Sequence, residues 1–404
     1  MNDAEKPDLF TRLAHLGRAG THTKGFVNPP VHRGSTVLYP DMAARADAGN
    51  HRLEQFQVYG VQGGPTHYPL ENVIADIEGG TRCQIVSSGQ AAVTTALFAY
   101  LKAGDDCLMP DSAYGPARNF ASGMLTALGV TTRFYDPCIR PGELAALMQP
   151  NTTVLYLESP GSHTFEVQDV PGLAAVAHEH GAKVLLDNTW GIHHFQPFQH
   201  GVDASIQALT KYVVGHSDVL LGSIVTNSDE DWDRVRTTTL SLGQYASPDD
   251  CWLALRGVRT MAVRMERQYA SSLEVARFLQ SRPEVKQVLH PALPGAPGHD
   301  IWKRDFTGGC SLFGVVYQPG YSRESVHAMT NSLQLFGIGA SWGGYESLAL
   351  PTTGFVTRTA GTGDFGGQMV RYHIGLEAPG DLIADLERGL SVLASNVATL
   401  PLDS

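Results

Sequence analysis

From about residue 66 to about residue 260, short apolar runs of strand length alternate with helix-patterned segments. Residues 83–88 read as a strand that turns at Gly89 into a helix over about 90–102. Residues 106–109 and 153–157 are two more strand-like runs. Asp169-Val170-Pro171 then opens a helix, with Asp169 as N-cap and proline in the first turn, and Gly181 stops it. Residues 184–187 and 204–210 return to strand patterning. A chain that alternates in this way builds an α/β fold, a mostly parallel sheet with helices on both faces. In an open sheet of that kind, ligands bind beyond the C-terminal ends of the strands.

Two of these strands end in groups able to do chemistry. Asp187 closes the first, within Asp187-Asn188-Thr189-Trp190, and Lys211 follows the second, within Thr210-Lys211-Tyr212. An amine and a carboxylate at the same sheet edge suit a pyridoxal phosphate (PLP) site. The lysine anchors the cofactor as a Schiff base and the acid pairs with its pyridinium nitrogen. Ser87-Ser88-Gly89-Gln90 lies where a strand becomes a helix, and the N–H groups and dipole there attract phosphate. Alone, that segment reads as an ordinary turn; beside Lys211 and Asp187 it reads as a phosphate cradle. Tyr114, just after the run 106–109, either packs at the surface or stacks on a cofactor ring. Arg371 is a single charge in the apolar run Val370-Arg371-Tyr372-His373-Ile374. It is either a structural salt-bridge partner or a bidentate clamp on a substrate carboxylate.

The flanks are patterned differently. Residues 1–65 are poorly periodic, and Asn28-Pro29-Pro30-Val31 and Tyr39-Pro40 suggest an extended arm that packs on a neighbouring subunit. Residues 261–404 look α+β, with an amphipathic helix over 271–281, a strand over 312–317 and a closing helix over 381–397. The expected division is an arm at 1–65, a PLP-binding α/β domain at 66–260 and a C-terminal α+β domain at 261–404.

A net charge of −11 without any basic block speaks against nucleic acid or an anionic membrane surface as partner. No apolar run approaches the roughly 18 residues of a membrane span. The start, Met1-Asn2-Asp3-Ala4-Glu5-Lys6, does not read as a signal peptide. The five cysteines form no CxxC pair and read as reduced thiols, so a cytoplasmic location is expected. His178-Glu179-His180 and His193-His194 lack zinc-site spacing, so no metal is expected. No GxSxG elbow for Ser-His-Asp hydrolysis occurs.

Taken together, these segments resemble the Cys/Met-metabolism family of PLP-dependent enzymes, of fold type I, nearly end to end. The most specific are Tyr59-Gly60 with Pro65-Thr66, Leu186-Asp187-Asn188-Thr189-Trp190, and Thr210-Lys211-Tyr212-Val213-Val214-Gly215-His216-Ser217-Asp218. Within the family the chain is most similar to the cystathionine β-lyase branch. Ser341-Trp342-Gly343-Gly344 carries a tryptophan where the γ-branches usually have a smaller aliphatic residue. Ser159-Pro160-Gly161-Ser162 lacks their asparagine, and Ala208 stands where they usually have serine.

The resemblance implies a seven-stranded, mostly parallel sheet, a smaller α+β domain, and PLP as cofactor. It implies that Lys211 is the Schiff-base lysine, Asp187 the pyridinium partner and Tyr114 the stacking ring, these three also being the catalytic residues. Gly89 and Gln90 would give N–H groups to the phosphate, and Thr210 a hydroxyl. Tyr59 would reach the neighbouring subunit's site, in dimer pairs that form a homotetramer. Arg371 would hold the substrate carboxylate, with Ser341 and Trp342 beside it. The implied reaction is β-elimination of cystathionine or a related cysteine S-conjugate to thiol, pyruvate and ammonia. The alternative is γ-elimination or γ-replacement on a homoserine-type or cationic γ-substituted amino acid. One departure motivates that alternative. The family usually carries a phosphate-binding arginine where Val61 stands, and the β-lyases often have a base at the position of Gln62 and an acid at that of Asn119.

Overall fold

The larger sheet contains seven strands: β1 (Arg82–Val86), β2 (Asp106–Pro110), β3 (Thr131–Tyr135), β4 (Thr152–Glu158), β5 (Lys183–Asp187), β6 (Ala204–Gln207) and β7 (Gly222–Thr226). Their order is β1-β7-β6-β5-β4-β2-β3. The pairs from β6 through β5, β4 and β2 to β3 are parallel, whereas β7 runs antiparallel to both β6 and β1. The computed structural model describes residues 6–18, 23, 25–51, 53–361 and 364–395.

Period-two alternation within apolar strands explains why helices cover both faces. In β4, Val154 and Tyr156 point to one face, where they meet Ala92 and Ala96 of the helix Gly89–Tyr100. Leu155 and Leu157 point to the other, toward Leu70 and Ile74 of the helix His67–Glu78 and Leu173 of the helix Val170–Glu179. Strand β5 repeats this, with Leu185 on the first face and Val184 and Leu186 on the second. All of these are essentially fully buried, and each large one contributes roughly 1.5–3 kcal/mol by leaving water.

Three local expectations need correction. The run 204–210 is not all strand: β6 stops at Gln207, and the Lys211 amide closes a turn on the Ala208 carbonyl at 3.1 Å. That turn folds Lys211 back over the strand ends. Strands β3 and β7 were not visible as apolar runs; β3, Thr-Thr-Arg-Phe-Tyr, is an edge strand. Asp169 sits at the N-cap position of its helix, but its side chain makes no cap bond and instead accepts from Arg304 at 2.5 Å.

The C-terminal part builds a second, antiparallel sheet from β8 (Val285–Leu289), β9 (Leu312–Tyr317), β10 (Leu348–Pro351) and β11 (Met369–His373), in the order β10-β11-β9-β8. The helix expected at 271–281 runs much longer, Met261–Gln280. The closing helix, Pro379–Ser395, seats Leu382, Leu386, Leu390 and Leu393 on this sheet. In the arm, Leu13 of the helix Leu9–His15 is buried, while Phe26, Val27, Leu38 and Met42 are exposed. Among the described residues no helix is long and apolar enough to cross a membrane.

Candidate active site

The parallel register sets neighbouring strand ends side by side. Glu158 at the end of β4 pairs with Asp187 at the end of β5, which pairs in turn with Ile206 of β6. Just beyond these ends lies a cavity of about 250 Å³ whose walls include Gly89, Gln90, Tyr114, Asp187, Lys211 and Arg371. Thr210 and Trp342 line it as well, and Ser341 reaches it through a hydrogen bond from Lys211 Nζ at 2.8 Å. Tyr59 is the exception among the expected site residues. It is half exposed on the arm and does not line the cavity.

Lys211 is half-buried, with Nζ 5.3 Å from the centre of the Trp342 ring. Burial, helped by the nearby Arg371 charge and opposed by Asp187, lowers its pKa to about 8. An ordinary lysine titrates at about 10.4, so this one is far more often a neutral nucleophile near neutral pH. The reaction of cofactor-free protein with a pyridoxal aldehyde, followed by stopped-flow absorbance, is expected to accelerate up to about pH 8 and level off above it. A rate still climbing to pH 10 would mark an ordinary lysine.

The Thr189 amide and hydroxyl both donate to Asp187 Oδ1, at 3.0 and 2.6 Å. The same hydroxyl accepts from the Ala208 amide at 2.9 Å, which ties the end of β5 to the turn carrying Lys211. Burial raises the Asp187 pKa, against these hydrogen bonds and the Lys211 charge. A buried carboxyl of this kind is suited to a cationic partner, and a protonated ring nitrogen is one.

Opposite, Ser88 caps the helix Gly89–Tyr100 by accepting from the Ala91 amide. The first N–H groups of that helix have no acceptor within it and open on the cavity. Gly89 is required there, since a Cβ would lie 2.6 Å from the Ala208 side chain. Helix N–H groups, an amine, a buried acid and an aromatic face in one cavity fit PLP. Gly89 and Gln90 would hold its phosphate, Lys211 its aldehyde carbon and Asp187 its nitrogen. The Thr210 hydroxyl departs from expectation: it donates to the Leu221 carbonyl and accepts from the Leu221 amide, so its proton is committed away from a phosphate.

Arg371 is nearly buried in β11. Its Nη2 donates to the carbonyl oxygens of Gly339, Ala340 and Ser341 at 3.3, 2.8 and 3.0 Å. No carboxylate partner is formed among the described residues, so the structural salt-bridge reading gives way to a guanidinium turned to the cavity. His373, two positions on, accepts from the Gly343 amide at 3.1 Å and is also bonded to Ser311. Gly343 has φ +86° and would place a Cβ 2.9 Å from Lys211 Cα. The segment bearing Ser341 and Trp342 is thus fastened to β11 and pressed against Lys211.

Two carboxyls escaped sequence reasoning. Glu158 accepts from the Tyr114 amide at 2.6 Å, orienting the segment that carries the ring. Burial and then Asp187 push its pKa well up. Glu78 lies beneath the site, accepting from Asn188 Nδ2 at 3.2 Å, Gln207 Nε2 at 2.6 Å and the Ser205 hydroxyl. Burial pushes it up to about 8 against those donors. Its signal was present: Glu71 and Glu78 are both acids on the face of the apolar stripe Leu70, Val73, Ile74, Ile77. The Tyr114 hydroxyl is held protonated, because burial, Asp187 and Glu158 raise its pKa over the opposing Arg371.

Comparison with known proteins points to the same cofactor. The family model for Cys/Met metabolism PLP-dependent enzymes matches residues 10–391. A cystathionine beta-lyase of Bordetella avium is 42% identical over 96% of this chain and 99% of its own length. The cystathionine beta-lyase MetC of Escherichia coli is 40% identical over 95% of this chain and 98% of its own. In structure, metB of Corynebacterium glutamicum matches with a TM-score of 0.87 and 29% identity, covering 97% of this chain and 100% of that one.

Proposed function

We infer, because the chain belongs to the Cys/Met metabolism family of PLP-dependent enzymes, that it is a PLP-dependent carbon–sulfur lyase. Its reaction is β-elimination of cystathionine or a related cysteine S-conjugate to a thiol, pyruvate and ammonia. The observation that carries this reading is the meeting of the Lys211 amine, the Asp187 carboxyl and the Arg371 guanidinium around one cavity.

When bound, PLP supplies an electron sink for the pair left at Cα. The residues of this chain supply the rest. Arg371 holds the substrate carboxylate through the guanidinium nitrogens not engaged by the loop carbonyls. That fixes Cα beside Lys211, whose Nζ removes the Cα proton. Asp187 would pair with the cofactor's ring nitrogen and keep it protonated. Tyr114 would stack on the ring, and its protonated hydroxyl, or Lys211, would deliver a proton to the departing sulfur. Ser341 holds the Lys211 amine, and Trp342 walls the substrate side chain.

Uncharged Val61, Gln62 and Asn119 favour a second reading, γ-elimination or γ-replacement on a homoserine-type or cationic γ-substituted amino acid. Trp342 opposes it by narrowing the space for a longer side chain. Products separate the two when the holoenzyme is given cystathionine, S-alkyl cysteines, methionine and basic γ-substituted amino acids. Pyruvate from cystathionine and the S-alkyl cysteines is the expected result. 2-Oxobutanoate or homoserine as main product would replace the β-reading with the γ-reading.

The exposed Phe26, Val27, Leu38 and Met42 suit the arm to pack on a second copy. In such a dimer, Tyr59 would enter the neighbour's site, and dimers would pair to a tetramer. Its five cysteines are unpaired thiols, which suits the reducing cytoplasm.

A further inference from the structure

A second cleft, of about 320 Å³, opens beyond Tyr114, and Tyr114, Ser162 and His163 line both it and the catalytic cavity. Its far wall is the segment carrying Phe355, Val356, Thr357 and Arg358. That wall is fixed by Asp111, which accepts from the amides of Thr359 and Ala360 and from the Thr359 hydroxyl.

Every charge on this lining is neutralised within the chain. Arg118 pairs with Asp111, and its guanidinium lies 3.7 Å from the Phe134 ring centre. Arg358 pairs with Glu166 at 2.6 Å and donates to the Thr164 hydroxyl at 2.7 Å. Both arginine side chains are at most 10% exposed. A ligand ammonium or carboxylate entering here would lose water and meet no free counter-charge among the described residues.

What the cleft does offer is aromatic surface beside neutral polar groups, Ser112, Asn119, Ser162 and Thr357 among them. His163 and Phe355 are near parallel, at 28° with ring centres 6.0 Å apart, beside Tyr114. The His163 Nδ1 is buried without a hydrogen-bond partner. Burial and the charges of Arg371 and Arg358 keep the imidazole neutral, with its pKa lowered to about 4. His163 is also held at φ +66°, a backbone region that non-glycine residues rarely adopt. Strain of this kind persists where the surroundings impose it, and it gathers at ligand sites.

We propose that this cleft receives the sulfur-borne group of the substrate and selects an uncharged group, aromatic before alkyl, over a zwitterionic one, with His163 and Phe355 as specificity-determining residues. The proposal rests on the β-lyase reading and narrows its substrate class to neutral thioethers of cysteine. The balanced reaction is RS–CH₂–CH(NH₃⁺)–COO⁻ plus water giving RSH, pyruvate and ammonium. The Cα–H and Cβ–S bonds break, and the sulfur leaves with its electron pair and takes a proton.

The test compares kcat/KM of the holoenzyme for S-benzyl-L-cysteine, S-methyl-L-cysteine and L-cystathionine, each scored by pyruvate. S-benzyl-L-cysteine is expected to exceed cystathionine by at least about tenfold, the scale on which one pocket contact discriminates. In His163→Ala and Phe355→Ala the ratio of benzyl to methyl substrate is expected to fall by about tenfold, a ratio in which any general loss of folded enzyme cancels. Binding gives a second readout. The uncleavable all-carbon isostere 2-amino-5-phenylpentanoate, titrated into holoenzyme by absorbance, is expected to bind Phe355→Ala more weakly than the parent. Pyruvate formed with cystathionine preferred, or a benzyl-to-methyl ratio unmoved in both variants, overturns the proposal and leaves the lyase reading standing. No pyruvate from any of the three thioethers overturns both.

Discussion

Replacing Lys211 by alanine is expected to lower kcat for pyruvate release by at least about 10³-fold and to remove the long-wavelength absorbance of the holoenzyme. In the proposed reaction two functions depend on one atom, because Nζ would both anchor the cofactor and move the Cα proton. Among the described residues no other amine lines the cavity. The nearest cation, Arg371, is a guanidinium that cannot be deprotonated in a protein, and its Nη2 is committed to the 339–341 carbonyls. His163 also lines the cavity, but its imidazole is no amine and cannot anchor the cofactor as a Schiff base. Truncation leaves Ser341 at a more open site and removes no core contact, so the circular dichroism spectrum is expected to stay that of the parent. Turnover retained in Lys211→Ala would sink the assignment of this residue.

Asp187→Asn is expected to cost about 10²–10³-fold in kcat/KM, the scale of a lost partner in a buried charge pair. Asparagine keeps an oxygen for the Thr189 amide and hydroxyl, so the strand end keeps its shape and only the charge goes. A stability measurement gives an independent check. Asp187 has its pKa raised in the fold by burial. The folded state therefore binds the proton more tightly than the unfolded chain, whose aspartates titrate near about 3.9. Stability contributed by this group is present below that value and lost as pH rises through the raised folded pKa. At pH 7 the cofactor-free Asp187→Asn protein is expected to melt higher than the parent, while the cofactor-loaded variant gains less on loading. A lower Tm in the cofactor-free variant would mean that the carboxylate is stabilised without the cofactor.

Much of this site was legible because it is written locally. Asp187 and Lys211 sit at the ends of apolar runs, and strand ends in an α/β sheet share an edge. Gly89 stands at a strand-to-helix turn, which the helix dipole suits to a phosphate. What escaped depended on contacts distant in sequence. Glu78 meets Asn188, Ser205 and Gln207 across more than 100 residues. Glu158 becomes a site residue only through the parallel register that sets it beside Asp187. The early end of β6 escaped because the apolar residue Leu209 continues the strand pattern while the backbone has already turned. Thr210 lines the cavity, but nothing in the sequence shows that Leu221 occupies its hydroxyl. Strand β7 stayed hidden because Gly222-Ser223 dilutes its apolar pattern.

The fastening of the Ser341–Gly344 segment to β11 bears on how such a scaffold can diverge. Arg371 and His373 hold that segment through backbone carbonyl and amide groups, so the proposed carboxylate clamp and the Trp342 wall move as one body. A mutation that shifts the wall to admit another amino acid also swings the clamp, and two properties suffer for one change. The wall formed by His163 and Phe355 hangs on other anchors, the Asp111 and Glu166 carboxylates, and can alter one side chain at a time. In a lineage built on this frame, new diets would accumulate on the His163 side while the Trp342 side stays an heirloom.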